Sequence, residues 1–88
     1  MKHRASIKFW VYYGRLPEPI RRLADENFKL LKDNPRHPSL RFKNVGRFWS
    51  ARVGAHYRAL AVQEGSDTVW FWIGHHAEYD QLIGNRGH

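Results

Sequence analysis

Three apolar runs follow one another with almost no chain between them: "FWSARV" at 48–53, "YRALAVQE" at 57–64 and "TVWFWI" at 68–73. Only "GAH" and "GSD" join them. Each run is rich in β-branched and aromatic residues, and links this short connect antiparallel neighbours, since a parallel crossover needs a dozen residues or more. Gly65-Ser66 suits a two-residue hairpin with glycine first. Any fold for this chain must therefore contain an antiparallel sheet in its second half. Upstream, "LRFKNV" alternates Leu40 and Phe42 with Arg41 and Lys43, which reads as an edge strand with a basic face.

The first half follows a different period. In "PEPIRRLADENFKLLKD", residues 17–33, Ile20, Leu23, Ala24, Phe28 and Leu31 form one helical stripe. Pro17 and Pro19 fit a first turn, and Asn34-Pro35 ends the helix. Residues 7–15, "IKFWVYYGR", suit a strand by composition. They suit a helix by the spacing of Phe9, Tyr13 and Leu16, with Ser6 as cap. The helix is preferred, and Leu16-Pro17 then closes a helical hairpin. A short helix from about Ala77 to Ile83 ends the pattern. The expected fold is α+β: an N-terminal helical hairpin packed on a twisted antiparallel sheet of three to four strands, with a short C-terminal helix. The face of the sheet that carries the helices is open, because both faces hold apolar residues.

At 88 residues one domain, 1–88, is expected. The chain has no cysteine, which removes disulfides and thiolate metal sites and fits a cytoplasmic setting. No apolar run is long enough to span a bilayer, so no membrane partner is expected. The N-terminal stretch lacks a small-residue cleavage site and is not read as a signal peptide. Lys and Arg number 15 against 8 Asp and Glu, a net charge of +7. Such an excess favours a polyanionic partner, nucleic acid or an acidic protein.

A three-residue closure at Gly54-Ala55-His56 would set Val53 opposite Tyr57 and Arg52 opposite Arg58, whereas a two-residue loop would put the arginines on opposite faces. Two like charges across a strand pair cost a few tenths to about 1 kcal/mol. An anion between them makes the arrangement reasonable, since guanidinium forks onto phosphate. Solvated strand ends, or ion pairs with Glu78 and Asp80, are the plain alternative. The next hairpin sets Arg58 opposite Ile73, next to "GHHAEYD". Lys43 and Arg41 approach from the basic edge strand.

His75 and Tyr79, like His76 and Asp80, are four apart, and His76 and Tyr79 three apart. One histidine and Tyr79 therefore share a helix face. Imidazole can take or give a proton near neutral pH. The same histidines could simply cap or pack. His76 with Asp80 makes two metal ligands without a third, so no metal and no cofactor are expected. Trp70 and Trp72 read as core, and Trp49 as core or surface.

The order "LPEPIRRLADENFKLLKDNPRHPSLRFKNV", "FWSARVGAHYRALAV", "VWFWIGHHAEYDQLI" resembles the RelE/ParE superfamily of bacterial toxins over nearly the whole chain. Its most specific pieces are the RVGxxYR-like hairpin at 52–58 and GxHxxY at 74–79. The resemblance implies the toxin half of a toxin–antitoxin pair, bound by a cognate antitoxin in a hetero-oligomer. Ribosome-dependent members cut messenger RNA in the decoding site. The ParE-like branch inhibits DNA gyrase and is not nucleolytic. The lysine-rich pair of catalytic strands of some members has no counterpart here.

By position, Arg58 matches the arginine that contacts the scissile phosphate in nuclease members. His76 stands where they place an acid–base group, with His75 beside it. Tyr79 resembles the aromatic residue that closes their site. Arg52 and Lys43 are matched as phosphate-binding residues, and Arg41 of the basic edge strand is expected to join them. The reading is a metal-independent mRNA endonuclease acting on ribosome-bound message. A gyrase inhibitor and a catalytically inactive basic binding module are the alternatives.

Overall fold

A serine and two prolines fix the first helices in the computed structural model, which describes residues 2–84. Ser6 Oγ accepts from the Phe9 N–H at 3.3 Å and opens α1, Ile7–Gly14. Pro19 sits in the first turn of α2, Glu18–Asp33, where a missing N–H costs nothing. The helix reading of 7–15 thus holds, and α1 and α2 form the expected hairpin. Phe9, Tyr12 and Tyr13 turn inward, while Ile7, Trp10 and Val11 face solvent.

The sheet has five strands, in the order β1-β5-β4-β3-β2. They are β1 (Lys2–Ala5), β2 (Lys43–Val45), β3 (Phe48–Val53), β4 (Tyr57–Glu64) and β5 (Asp67–His75). β2 to β5 form the expected antiparallel meander. β1 is additional and runs parallel to β5. "KHRA" carries no apolar alternation, which hides it from sequence. Its place is held by Arg4, bridged to Glu64 and Asp67 at 3.2 Å each, and by His3 on Trp70. α3, His76–Leu82, lies within a residue of its expected bounds.

The edge strand expected over 40–45 is shorter. His37 Nδ1 caps a 3-10 turn at Pro38–Leu40, Leu40 is buried under the sheet edge, and Arg41 takes a left-handed φ of 46°. Proline and the buried leucine override the alternation, and strand begins only at Lys43. Arg41 is therefore a turn residue rather than a strand residue.

Both faces of the sheet are covered. Ala51, Val53, Ala59 and Ala61 pack with Leu16, Ala24 and Leu31 beneath the helical hairpin. Leu60 and Trp72 pack with Tyr79 and Ile83 on the other side, under α3. A bulge allows this division. Leu60 pairs with Trp72 but Ala61 pairs with Trp70, so Phe71 is the extra residue. Trp70 stays with the helical hairpin and Trp72 goes to the α3 side; both are buried. Trp49 stacks on Phe42 with ring centroids 5.0 Å apart, which answers its ambiguity in favour of packing. The bulge also moves the register by one residue. Arg58 lies opposite Gly74, not Ile73.

Trp72 folds back over Gly74, where an added Cβ would stand 2.5 Å from its ring. Gly74→Ala should destabilise the fold by about 1–3 kcal/mol, as overpacking of a rigid buried ring does. Gly14→Ala, with no atom within 4 Å of its Cβ, is the control. Urea midpoints compare the two, and equal midpoints would contradict the packing.

His3 Nδ1 accepts from the buried Trp70 Nε1–H at 3.1 Å. Burial first, and then nearby positive charge including Lys32, lowers its pKa from 6.5. The unfolded chain therefore takes up the proton first as pH falls. The contribution to stability is complete above about 6.5 and is lost as pH falls through that value toward the folded one. His3→Gln keeps an acceptor for Trp70 without titrating. Acidification should lower the urea midpoint of the wild type more than that of the variant; equal falls would exclude this role for His3.

Candidate functional site

The β3–β4 turn is held from both sides. Gly54 has φ +67°, and a Cβ there would stand 2.6 Å from Leu23 Cδ2 on α2. Only glycine meets both conditions. Asn27 of α2 donates to the Arg52 carbonyl at 3.2 Å. The turn is the expected three-residue closure: Val53 pairs with Tyr57, and Arg52 with Arg58. Strand alternation puts both arginines on the face that α3 partly covers.

Each arginine spends one donor on its own hairpin. Arg52 Nε donates to the Gly54 carbonyl at 2.9 Å and Arg58 Nη1 to the Tyr57 carbonyl at 2.8 Å. A guanidinium has five N–H donors, so most remain available in a fixed orientation. Among the described residues neither has a carboxylate within ion-pair distance; the ion pairs there involve Arg4 and Arg22. The alternative pairing with Glu78 and Asp80 is thus not made. Burial, then the Arg52 charge, lowers the pKa of Arg58; Arg41 acts the same way, and Tyr79 and Asp80 oppose it. Arg41 thus stands near the pair although it left the strand. Lys43 pairs with Ser50, one step along the same face from Arg52, and is exposed.

α3 begins at the same end of the sheet, two residues past Gly74. His75 is its N-cap: Nδ1 accepts from the Ala77 N–H at 3.2 Å. That nitrogen is committed to structure, which leaves Nε2. His76 is half-buried, and its backbone N–H donates to the His56 carbonyl at 2.8 Å. This bond ties the start of α3 to the arginine hairpin. Tyr79 is buried among Leu60, Trp72 and Ile83, with its phenol close enough to act on the charge of Arg58.

Sequence reasoning passed over His56. Its ring lies 6.2 Å from His75 and 6.1 Å from His76, and those two lie 4.4 Å apart, centroid to centroid. The signal was available in the expected register, which sets His56 opposite His75; the observed register sets Tyr57 opposite His75 and brings His56 to both histidines. Among the described residues no group of three or more His, Cys, Asp or Glu is arranged to hold a metal ion. Imidazoles so grouped are able to exchange protons, and the guanidinium pair on the same hairpin is able to hold an anion.

No family model matches the chain, and no curated protein does. Solved structures do match. The RelB–RelE antitoxin–toxin complex of Methanococcus jannaschii aligns with a TM-score of 0.69 at 15% identity, over 89% of this chain and 95% of that one. The YoeB/ParE toxin of Agrobacterium tumefaciens gives 0.66 at 18%, over 86% and 99%. The toxin–antitoxin complex RelBE2 of Mycobacterium tuberculosis gives 0.63 at 20%, over 84% and 95%. The fold is that of the RelE/ParE toxins. In this RelE/ParE-like fold the arginine hairpin and the histidine corner occupy one end of the sheet.

Proposed function

We propose that this chain is the toxin of a toxin–antitoxin pair and that it cleaves messenger RNA on the ribosome. One observation carries the reading: Arg52 and Arg58 face each other across two strands with no carboxylate partner among the described residues. Arg41 adds its charge to theirs. A phosphodiester supplies the missing anion. An antitoxin partner is supported by structural neighbours that are solved as antitoxin–toxin complexes. Among the described residues no helix is long and apolar enough to cross a membrane.

RNA brings its own nucleophile, the 2′-hydroxyl. The protein must align that oxygen with phosphorus and the departing 5′-oxygen, help a proton off one and onto the other, and stabilise the charge that builds on phosphate. Arg58 and Arg52 meet the last need with oriented donors. Tyr79, buried in the core, stands near enough to act on the Arg58 charge. His76 is the acid–base group, with His75 Nε2 next to it. Lys43 and Arg41 bind the flanking backbone. The products are a 2′,3′-cyclic phosphate and a 5′-hydroxyl.

Purified protein added to programmed ribosomes should cut the message in the decoding site. Arg58→Ala and His76→Ala should each slow cutting by about 10²- to 10⁴-fold while antitoxin still binds. An intact message with wild-type protein would reject the nuclease reading. Inhibition of DNA gyrase in a parallel supercoiling assay would then install the ParE-like alternative.

A further inference from the structure

We infer that His56 is the second proton carrier of this site, paired with His76 across the bound phosphodiester. The inference rests on the nuclease reading. Transesterification needs two proton transfers at two different oxygens. The 2′-oxygen–phosphorus bond forms as one imidazole takes the 2′-hydroxyl proton. The phosphorus–5′-oxygen bond breaks as a second imidazole gives that oxygen a proton. One histidine serves both steps poorly, because entering and leaving oxygens lie on opposite sides of phosphorus in an in-line reaction.

Spacing decides between the two possible partners of His76. Each carrier must come within about 2.6–3.2 Å of its oxygen, so the two rings must stand apart with room between them. His75 and His76 are 4.4 Å apart, close to ring contact. His56 and His76 are 6.1 Å apart. His75 also has Nδ1 engaged by the Ala77 N–H, and turning its ring would uncap α3. The His56 ring has no hydrogen bond to any described residue and is exposed.

The mounting of His56 fits the role. It ends the turn that Gly54 and Leu23 clamp, and its carbonyl receives the His76 N–H at 2.8 Å. One backbone bond thus joins two residues from distant parts of the chain whose rings lie 6.1 Å apart. His56 also lies two residues before Arg58 on the same hairpin. The groups facing it are the imidazoles of His75 and His76, with the Tyr57 phenol adjacent in sequence; no carboxylate bridges any of the three histidines among the described residues.

The test is the pH–rate profile of message cleavage on programmed ribosomes for wild type, His56→Ala and His76→Ala. Wild type should show a bell-shaped profile. His56→Ala should lower the maximum rate by about 10²- to 10⁴-fold and remove one limb of the bell, and His76→Ala the other. Their combination should be little worse than either alone, since the pair acts as a unit. Added imidazole should restore part of the His56→Ala rate, which a structural role would not allow. Unchanged melting and antitoxin binding show that His56→Ala remains folded. Cleavage by His56→Ala at wild-type rate with both limbs intact would overturn this inference alone. Absence of cleavage by the wild type would overturn it together with the nuclease reading.

Discussion

Arg52 and Arg58 are held directly opposite each other on β3 and β4. That juxtaposition costs a few tenths to about 1 kcal/mol in the protein alone. The surrounding structure keeps the two groups from moving apart. Gly54 packs against Leu23, Asn27 reaches the Arg52 carbonyl, and each guanidinium donates to its own hairpin backbone. A repulsive pair built on so rigid a mount is suited to an anion with two or more acceptor oxygens. Partial burial adds to the cost of the Arg58 charge, a cost that a neighbouring anion would relieve.

The second constraint is the bulge at Phe71. By splitting Trp70 and Trp72 between the two faces, it lets one sheet carry a helical hairpin on one side and α3 on the other. It also brings Gly74 opposite Arg58, and so sets the start of α3 near the arginines. Gly74 is required because Trp72 occupies the space a side chain would take. Packing and site geometry are thus joined through one irregular residue.

Much of this was legible in the sequence because it depends on local rules. The stripe of Ile20, Leu23, Ala24, Phe28 and Leu31 gave α2, Ser6 gave the start of α1, and the links at 54–56 and 65–66 gave two hairpins with their lengths. The opposed arginines followed only if the first link closed over three residues rather than two, as it does. What stayed hidden depends on contacts distant in sequence. β1 is held by ion pairs from Arg4 to residues sixty positions away. Phe71 is an ordinary strand residue by composition, so nothing local marks the bulge, and the register past it was one residue off. Arg41 followed the buried Leu40 into a turn. His56 was missed because its neighbours come from the next hairpin. Tyr79 is buried among Leu60, Trp72 and Ile83, which its spacing from the histidines did not reveal.

The claim at the centre is that an anion converts the arginine pair from repulsive to cooperative. A double-mutant cycle measures this directly: wild type, Arg52→Gln, Arg58→Gln and the double variant, each unfolded in urea with and without a short 2′-O-methyl RNA that cannot be cleaved. Without RNA the two charges should couple unfavourably, by a few tenths to about 1 kcal/mol. With saturating RNA the coupling should change sign. An unfavourable coupling that stays the same with RNA bound would contradict the account.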